Sequence, residues 1–567
     1  MSGPRSIVRQ LGRLPTVLRT VRHLRLPQAM AQLHHALYGI APPRTRTGPG
    51  SAPQLAIAAP HTPFLPPPAH VKSLGAGRFE LLATPFEIPR GPGWDATGHD
   101  PLFAYHLQQH EYLRCEDVSP AERAAVLADW IHSQRAGIGW DPHPTGLRLL
   151  AWGKLLTTPG LLPEDATARA DLLRSFADQA ETLSRNLEVR LQANHLLSNL
   201  LCVVFAGMLV ETAASEEWRS RAALLRRELA RQIRPDGGHE ERSPMYHAAL
   251  LETVLDLLNL CRAAPERAPE GLAPTLADSA LRMSAALEIL SHRDGRIALF
   301  ADSAFDIAAE PAALRDYAER LVPDARLRAG TRRGSACLRD TGYVRLESSD
   351  WLLISSVGEP SPPHQPGHAH CDALAFELSI AGQRLVTDTG VFEYVLGQRR
   401  QRARSTASHA TLQIDGEEQA EIWAAHRVGG RPKVELVAWS ETGGAEATCR
   451  GWSRRATLHR RQFRVTDREV EIVDSVEGPA RAIRTCLPIA PEFEVELLAD
   501  PGAGPRAICR SYAGPGVVIE IELPTAFAWR LETSAYYPSF GRELTRPVLV
   551  GLARVCSSAR TRFRRIG

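Results

Sequence analysis

Lysine is almost missing from this 567-residue chain: Lys72, Lys154 and Lys433 are the only three, so nearly all positive charge is arginine. Acidic residues are missing from the start; none occurs before Glu80, while Arg5, Arg9, Arg13, Arg19, Arg22 and Arg25 crowd the same stretch. The whole chain still carries a formal net charge of only +3, too small to argue for a nucleic-acid partner. The nine cysteines are odd in number and scattered, with no Cys-x-x-Cys, which excludes a disulfide framework and a zinc knuckle. No apolar run approaches the roughly 18 residues of a membrane-spanning helix. The early arginines, followed by Pro27, His34 and His35, leave no continuous apolar core for a secretory signal, so a cytoplasmic location is expected, with periplasmic or extracellular action as the alternative.

What is present is the composition of a globular protein, 44% hydrophobic and 23% charged, long enough for several domains. Residues 1–40 read as a basic amphipathic arm, with Leu11, Leu14, Leu18, Val21 and Leu24 opposite the arginines and Pro15 and Pro27 dividing it. Such an arm suits packing on the main body, contact with a membrane surface, or a transit-like peptide. Residues 41–94 are a Pro-rich linker and lead-in that includes Pro66-Pro67-Pro68. From 95 to 330 the helical period dominates, with helices expected over 102–114, 120–136, 146–157, 166–185, 188–213, 216–233, 245–263, 273–291 and 311–321. Short loops between them imply antiparallel hairpins in a bundle, solenoid or toroid, and the lack of a fixed repeat argues against a solenoid. From 331 to 567 short alternating strands punctuated by turn residues predict a large antiparallel β-sandwich. The expected fold is multidomain α + β, helices first and sheets second.

Three polar stretches interrupt these patterns. Asn194-His195 lies in the apolar run Leu191–Val210, with Ser198 and Asn199 one turn on; such a pair is costly to bury without partners. Asp236-Gly237-Gly238 leads through His239, Glu240, Glu241 and Arg242 to Ser243, a good N-cap, with Pro244 at the first helical position. Tyr246 and His247 then stand in the first helical turn, where backbone N–H groups favour an anionic ligand. The third stretch is Gly367-His368-Ala369-His370-Cys371-Asp372, followed by Asp388-Thr389-Gly390 and by Arg404-Ser405-Thr406 with His409. On one strand, His368 and His370 would share a face. Two imidazoles and a carboxylate from neighbouring strands could hold a metal; alternatively one imidazole binds metal while the other faces substrate, or both are ordinary surface residues.

Taken together with Gly139-Trp140-Asp141-Pro142-His143-Pro144 and Arg148, these pieces resemble the heparinase II/III-like polysaccharide lyases in order and spacing along most of the chain. Thr20 to Arg25 and Glu417 to Trp423 look like the branch found in bacterial exopolysaccharide and capsule gene clusters. The resemblance implies an α/α toroid (an incomplete barrel of helical hairpins) facing a C-terminal antiparallel β-sandwich, with β-elimination at a uronic acid between them. It casts Asn194 and His195 as binders of the substrate carboxylate, Tyr246 as the proton-transfer group and His368 as a second acid/base or carboxylate neutraliser. It makes His370, Asp388 and His409 ligands of a structural or orienting Zn2+. Two departures stand out: Ser198 where some members place a glutamate, and Ala410 where an asparagine usually follows the histidine.

Elimination across C4–C5 needs the carboxylate neutralised, the C5 proton removed and O4 protonated; Tyr246 could serve as both base and acid. A tyrosine base requires a lowered pKa, which positive charge at His195, His247 or Arg242 would supply. His247, Arg242 and Arg404 are the expected substrate binders, the last within a cluster with Arg399, Arg400 and Arg402 that either lines the path of a polyanion or forms a solvated loop. The expected partner is an acidic polysaccharide or oligosaccharide, with a homodimer left open. Rival readings are a non-catalytic glycan-binding or assembly protein, a glycoside hydrolase using a pair among Glu240, Glu241 and Glu252, and a zinc hydrolase.

Overall fold

A computed structural model describes residues 14–43, 53–75, 77–322, 334–453, 455–500, 504–513 and 516–567. The expected domain boundary at 330/331, and parts of the arm and linker, lie outside the described residues.

The helical half runs through Pro101–Leu107, Pro120–Ser133, Pro142–Thr157, Ala166–Arg185, Ala193–Leu209, Ala222–Gln232, Pro244–Ala263, Leu272–Ile289 and Pro311–Leu321. Four of these nine starts are written locally: Asp100, Ser119, Asp165 and Ser243 each accept a backbone N–H of the first turn. Three expected helices are altered where the backbone turns. His110 takes a left-handed conformation (φ 65°), so 102–114 becomes a helix ending at Leu107 and a separate 3-10 turn, Glu111–Arg114. Gln192 and Ala193 also have positive φ, which delays the start of the leucine-rich helix from 188 to 193. The stretch 216–233 divides at Arg221. All of Ala193–Leu209 except His195 is buried, because this helix packs on Pro142–Thr157, Ala166–Arg185 and Pro244–Ala263 at the centre of an open α/α toroid.

The strands described in the second half all pair antiparallel, with one isolated parallel bridge between Gly390 and Tyr537. Eight strands form the outer sheet, in the order Lys433–Ser440, Gly444–Arg450, Leu458–Val465, Glu469–Glu477, Ala559–Arg565, Val518–Glu522, Gly504–Ser511, Phe493–Asp500. Facing it is a five-stranded sheet: Gln383–Val386, Phe376–Ile380, Trp351–Ser356, Tyr343–Glu347, Ala336–Leu338. A four-stranded sheet of Leu412–Ile414, Ile483–Pro488, Arg542–Ala553 and Ala528–Ser539 completes the sandwich. Strand alternation splits the five-stranded sheet between two cores. Phe376, Leu378 and Leu353 pack with Phe463, Ile472 and Phe563 inside the sandwich, whereas Leu352, Ile354 and Tyr343 pack with Ile289, Leu290 and Phe300 of the helical half. Trp351–Ser356 and Phe376–Ile380 are therefore buried on both faces, and the domains meet across a continuous apolar contact.

The stretch expected to be a linker carries its own three-stranded meander, Val71–Gly75, Arg78–Leu81 and Thr84–Glu87, with Phe79 and Phe86 packed on Tyr112. The arm forms two helices, Leu14–Val21 and Leu26–Tyr38; Pro15 and Pro27 open them, each within the first turn. Among the described residues no helix is long and apolar enough to cross a membrane.

Candidate functional site

Two helix N-termini aim at one cleft. The Gly237-Gly238 turn presses so closely on its neighbours that a Cβ at 237 would sit 2.2 Å from the Arg282 carbonyl oxygen and one at 238 would sit 2.1 Å from Thr341 Oγ1. The chain leaves that turn through Ser243, whose Oγ accepts from Tyr246 N (3.2 Å) and donates to the Asp302 carbonyl (2.7 Å). This places Tyr246 on the first turn of its helix at the domain boundary. The positive-φ pair Gln192-Ala193 does the same for Asn194, so both side chains line one cleft together with Ser198, His143 and Tyr394.

His368 and His370 lie in a loop ahead of strand Phe376–Ile380, not on a strand as the His-x-His spacing suggested. A carboxylate organises them instead. Asp302, fully buried, accepts from His370 Nε2 through Oδ1 (2.8 Å) and from His368 Nδ1 through Oδ2 (2.9 Å), and the Arg400 guanidinium bridges both oxygens. Burial would raise this carboxyl, but Arg400 and the two imidazoles outweigh it and hold Asp302 well below the usual range. The hydrogen bonds place a proton on His368 Nδ1 and on His370 Nε2; His368 Nε2 lies 3.8 Å from Glu241 Oε2, and His370 Nδ1 has no hydrogen-bond partner.

That second nitrogen completes a donor set. His370, Asp388 and His409 each offer a ligand atom within 4.8 Å of the others, and all three residues are buried. His370 Nδ1 and His409 Nε2 are buried without a hydrogen-bond partner, while His409 Nδ1 lies 2.8 Å from Asp388 Oδ2. Two orphaned imidazole nitrogens and a carboxylate fit a zinc ion chemically.

Tyr246 faces His368 with ring centroids 4.1 Å apart, and its hydroxyl lies 2.8 Å from the Tyr394 hydroxyl. Burial pushes its phenol up from the ordinary value, the reverse of the lowering expected from nearby cations. Two of the three cations named for that task are elsewhere. His247 is 1% exposed, with Nε2 on the Met283 carbonyl (2.8 Å) and Nδ1 accepting from His239 N (3.2 Å). Arg242 lies against Gly342 and Gly358, between the helical half and the sandwich. Neither is among the side chains lining the cleft with Tyr246 and Asn194, and the expected role of His247 in binding substrate is corrected: both its nitrogens are taken by backbone groups. Arg404 is corrected likewise: it is 2% exposed and donates to the carbonyls of Ala369, Ala424, Ala425 and Arg427, bracing the histidine loop. Its cluster divides: Arg400 is buried and spent on Asp302, whereas Arg399, paired with Glu543, and Arg402 are exposed.

On the toroid side, His195 Nδ1 lies 3.1 Å from Glu188 Oε2, and the ring sits 5.0 Å from that of His143. Burial would lower His195, but the Glu188 charge and hydrogen bond outweigh it and raise the imidazole; the same pairing holds Glu188 at about 2 against burial. The Asn194 side-chain oxygen has no protein partner. Its backbone N–H donates to Glu241 Oε1 (3.3 Å), and Glu241 Oε2 lies 3.8 Å from His368 Nε2. A buried carboxylate thus stands between Asn194 and His368 although position 198 is serine.

Asp302, Glu241, Tyr394 and Glu188 were not among the residues expected at the site. Asp302 sits in Phe300-Ala301-Asp302-Ser303 with no motif spacing to mark it, and Glu241 lies beside Glu240 with nothing in the sequence to single it out.

Two family models match the chain: "Heparinase II/III N-terminus" over residues 139–303 and "Heparinase II/III-like, C-terminal" over 330–551, together more than half of it. "FtsZ-localized protein C" of Caulobacter vibrioides is 25% identical, covering 84% of this chain and 82% of that protein. "Heparin-sulfate lyase" of Pedobacter heparinus is 27% identical over 44% of this chain and 39% of its own length. Among solved structures, a heparinase III crystal structure superposes with a TM-score of 0.67 at 17% identity, covering 85% of this chain and 80% of that one. The heparan sulfate lyase HepC from Pedobacter heparinus superposes with a TM-score of 0.56 at 18% identity, covering 88% and 81%.

Proposed function

Because the chain belongs to the heparinase II/III-like family, we propose that it is a polysaccharide lyase that cleaves a uronate-containing glycan by β-elimination. The observation that carries this is the meeting of Asn194 and Tyr246 from the toroid with Tyr394 from the sandwich in one cleft, with the His368 ring 4.1 Å from that of Tyr246. Asn194 and His195 donate to the substrate carboxylate, so that charge developing as the C5 proton leaves is stabilised; each such donor is worth about 2.7–4 kcal/mol in the transition state. His368 Nε2, freed by the Asp302 bond to Nδ1, accepts the C5 proton, and the buried Asp302 carboxylate stabilises the imidazolium. A phenol pushed up by burial stays protonated, so Tyr246 acts first as the acid, passing its proton to O4 as the C4–O4 bond breaks and C4=C5 forms. Proton return from His368 to Tyr246, directly or through solvent, then resets both groups. Sharing the roles between two residues replaces the single tyrosine expected to perform both.

His370, Asp388 and His409 would hold zinc, which when bound adds positive charge and fixes the loop that carries His368. A second reading, a glycan-binding or assembly protein on this scaffold, draws on Ser198 and on the relative named for its localisation with FtsZ. One assay separates them: ultraviolet absorbance of the unsaturated uronate product over a panel of acidic polysaccharides. The lyase reading expects product from the native protein and none from Tyr246→Phe, with fold and metal content unchanged. Binding without product across the panel would leave the second reading standing.

A further inference from the structure

The two arm helices are mounted inside out. Leu14, Leu18 and Val21 share one face of the first helix; Leu26, Met30, Leu33 and Leu37 share one face of the second, and Tyr38 follows. All eight are exposed, from 43% to 74%, and they make up eight of the seventeen exposed large hydrophobic residues among the described residues. The polar faces point inward instead. Thr16 Oγ1 and Arg19 Nε donate to Glu421 (2.8 and 2.7 Å), and Trp423 Nε1 donates to Thr20 Oγ1 (3.1 Å). Gln28 Nε2 reaches the His364 carbonyl (3.1 Å), and Gln32 Nε2 reaches the Arg190 carbonyl (3.0 Å). An amphipathic helix that packs only for its own fold buries the apolar stripe; here specific hydrogen bonds hold that stripe outward.

We propose that this face docks the protein on an anionic membrane surface, lying in the interface rather than spanning it. Charge selects this occupant. No acidic residue precedes Glu80, Arg22 and His34 are exposed beside the stripe, and Arg5, Arg9 and Arg13 precede it in the chain. A second copy packed stripe to stripe would bring arginine toward arginine, whereas anionic headgroups complement each one. The anchoring bonds to Arg190 on the toroid and to His364 and Glu421 on the sandwich mean that the docked arm would hold both walls of the cleft at that surface.

The test is co-sedimentation of the full chain with vesicles of phosphatidylcholine alone or mixed with phosphatidylglycerol, at low and high salt. Native protein should pellet with the mixed vesicles, and added salt should weaken that binding. The triple variant Leu26→Glu, Met30→Glu, Leu33→Glu should bind at least about tenfold more weakly while unfolding at the same denaturant concentration, since all three side chains are exposed. Equal binding by the variant would overturn the proposal. So would native protein that stays in solution with mixed vesicles, or that forms a dimer dispersed by the same three substitutions.

Discussion

Replacing Asp302 by Asn tests how the two halves of the site are joined. The side chain keeps its size, but one carboxylate oxygen becomes an NH2 group that cannot accept. Arg400 donates to both oxygens, so in either amide orientation one guanidinium N–H meets a donor. One imidazole must also switch tautomer. If NH2 faces His370, its Nδ1 takes the proton and loses the lone pair offered to the metal; if NH2 faces His368, its Nε2 is protonated and cannot act as a base. Asp302 and Arg400 are 0% and 1% exposed, and stripping the charge from one partner of such a buried pair costs about 3–5 kcal/mol. The expectation is a loss of unfolding free energy of that size in urea and either reduced zinc content or turnover lower by about 10⁴-fold, the scale of a catalytic histidine held in the wrong tautomer. An Asp302→Asn protein with native stability, zinc content and turnover would refute the coupling.

His370→Ala removes a buried donor from the trio with Asp388 and His409; zinc content and unfolding midpoint should both fall, and zinc retained at the native level would reject the ligand assignment. Glu188→Gln should change pH dependence through its partner. The depressed Glu188 carboxyl contributes stability above its ordinary 4.5 that is lost as pH falls toward about 2, whereas the raised His195 contributes stability below 6.5 that is lost at higher pH. The pair therefore contributes most between 4.5 and 6.5, on the order of 3 kcal/mol, and the midpoint difference from native protein should be larger near about pH 5.5 than near about pH 9. A difference that does not vary with pH would count against the ion pair.

The order of helices and sheets, and the caps that start the helices, were legible because both rest on local chemistry: periodicity of apolar residues, and Ser or Asp before a proline or an apolar run. Ser243 capping Tyr246 is the clearest case. Left-handed turns at His110, Gln192 and Ala193 were not legible, since none is glycine or asparagine and the surrounding packing imposes them. The site was legible where motifs lie along the chain, as with Asn194, Tyr246, His368 and the trio of His370, Asp388 and His409. It was hidden where one residue reaches across the fold: Asp302 bonds partners 66, 68 and 98 positions away, and no spacing rule covers such distances. Arg404 and His247 misled for the opposite reason. They stand beside site residues in sequence but turn into the protein, where carbonyl groups satisfy them.

The sheet shared by two cores has a consequence for biosynthesis. The apolar patch formed by Ile289, Leu290 and Phe300 leaves the ribosome before Tyr343, Leu352, Ile354 and Ala375, which cover it. At about 5–20 residues per second, the interval from 300 to 375 leaves that patch bare for about 4–15 s, long enough for a chaperone to recognise it. Expressing the helical half alone would make the interval permanent, so the halves should be recovered soluble when produced together and aggregate when produced apart.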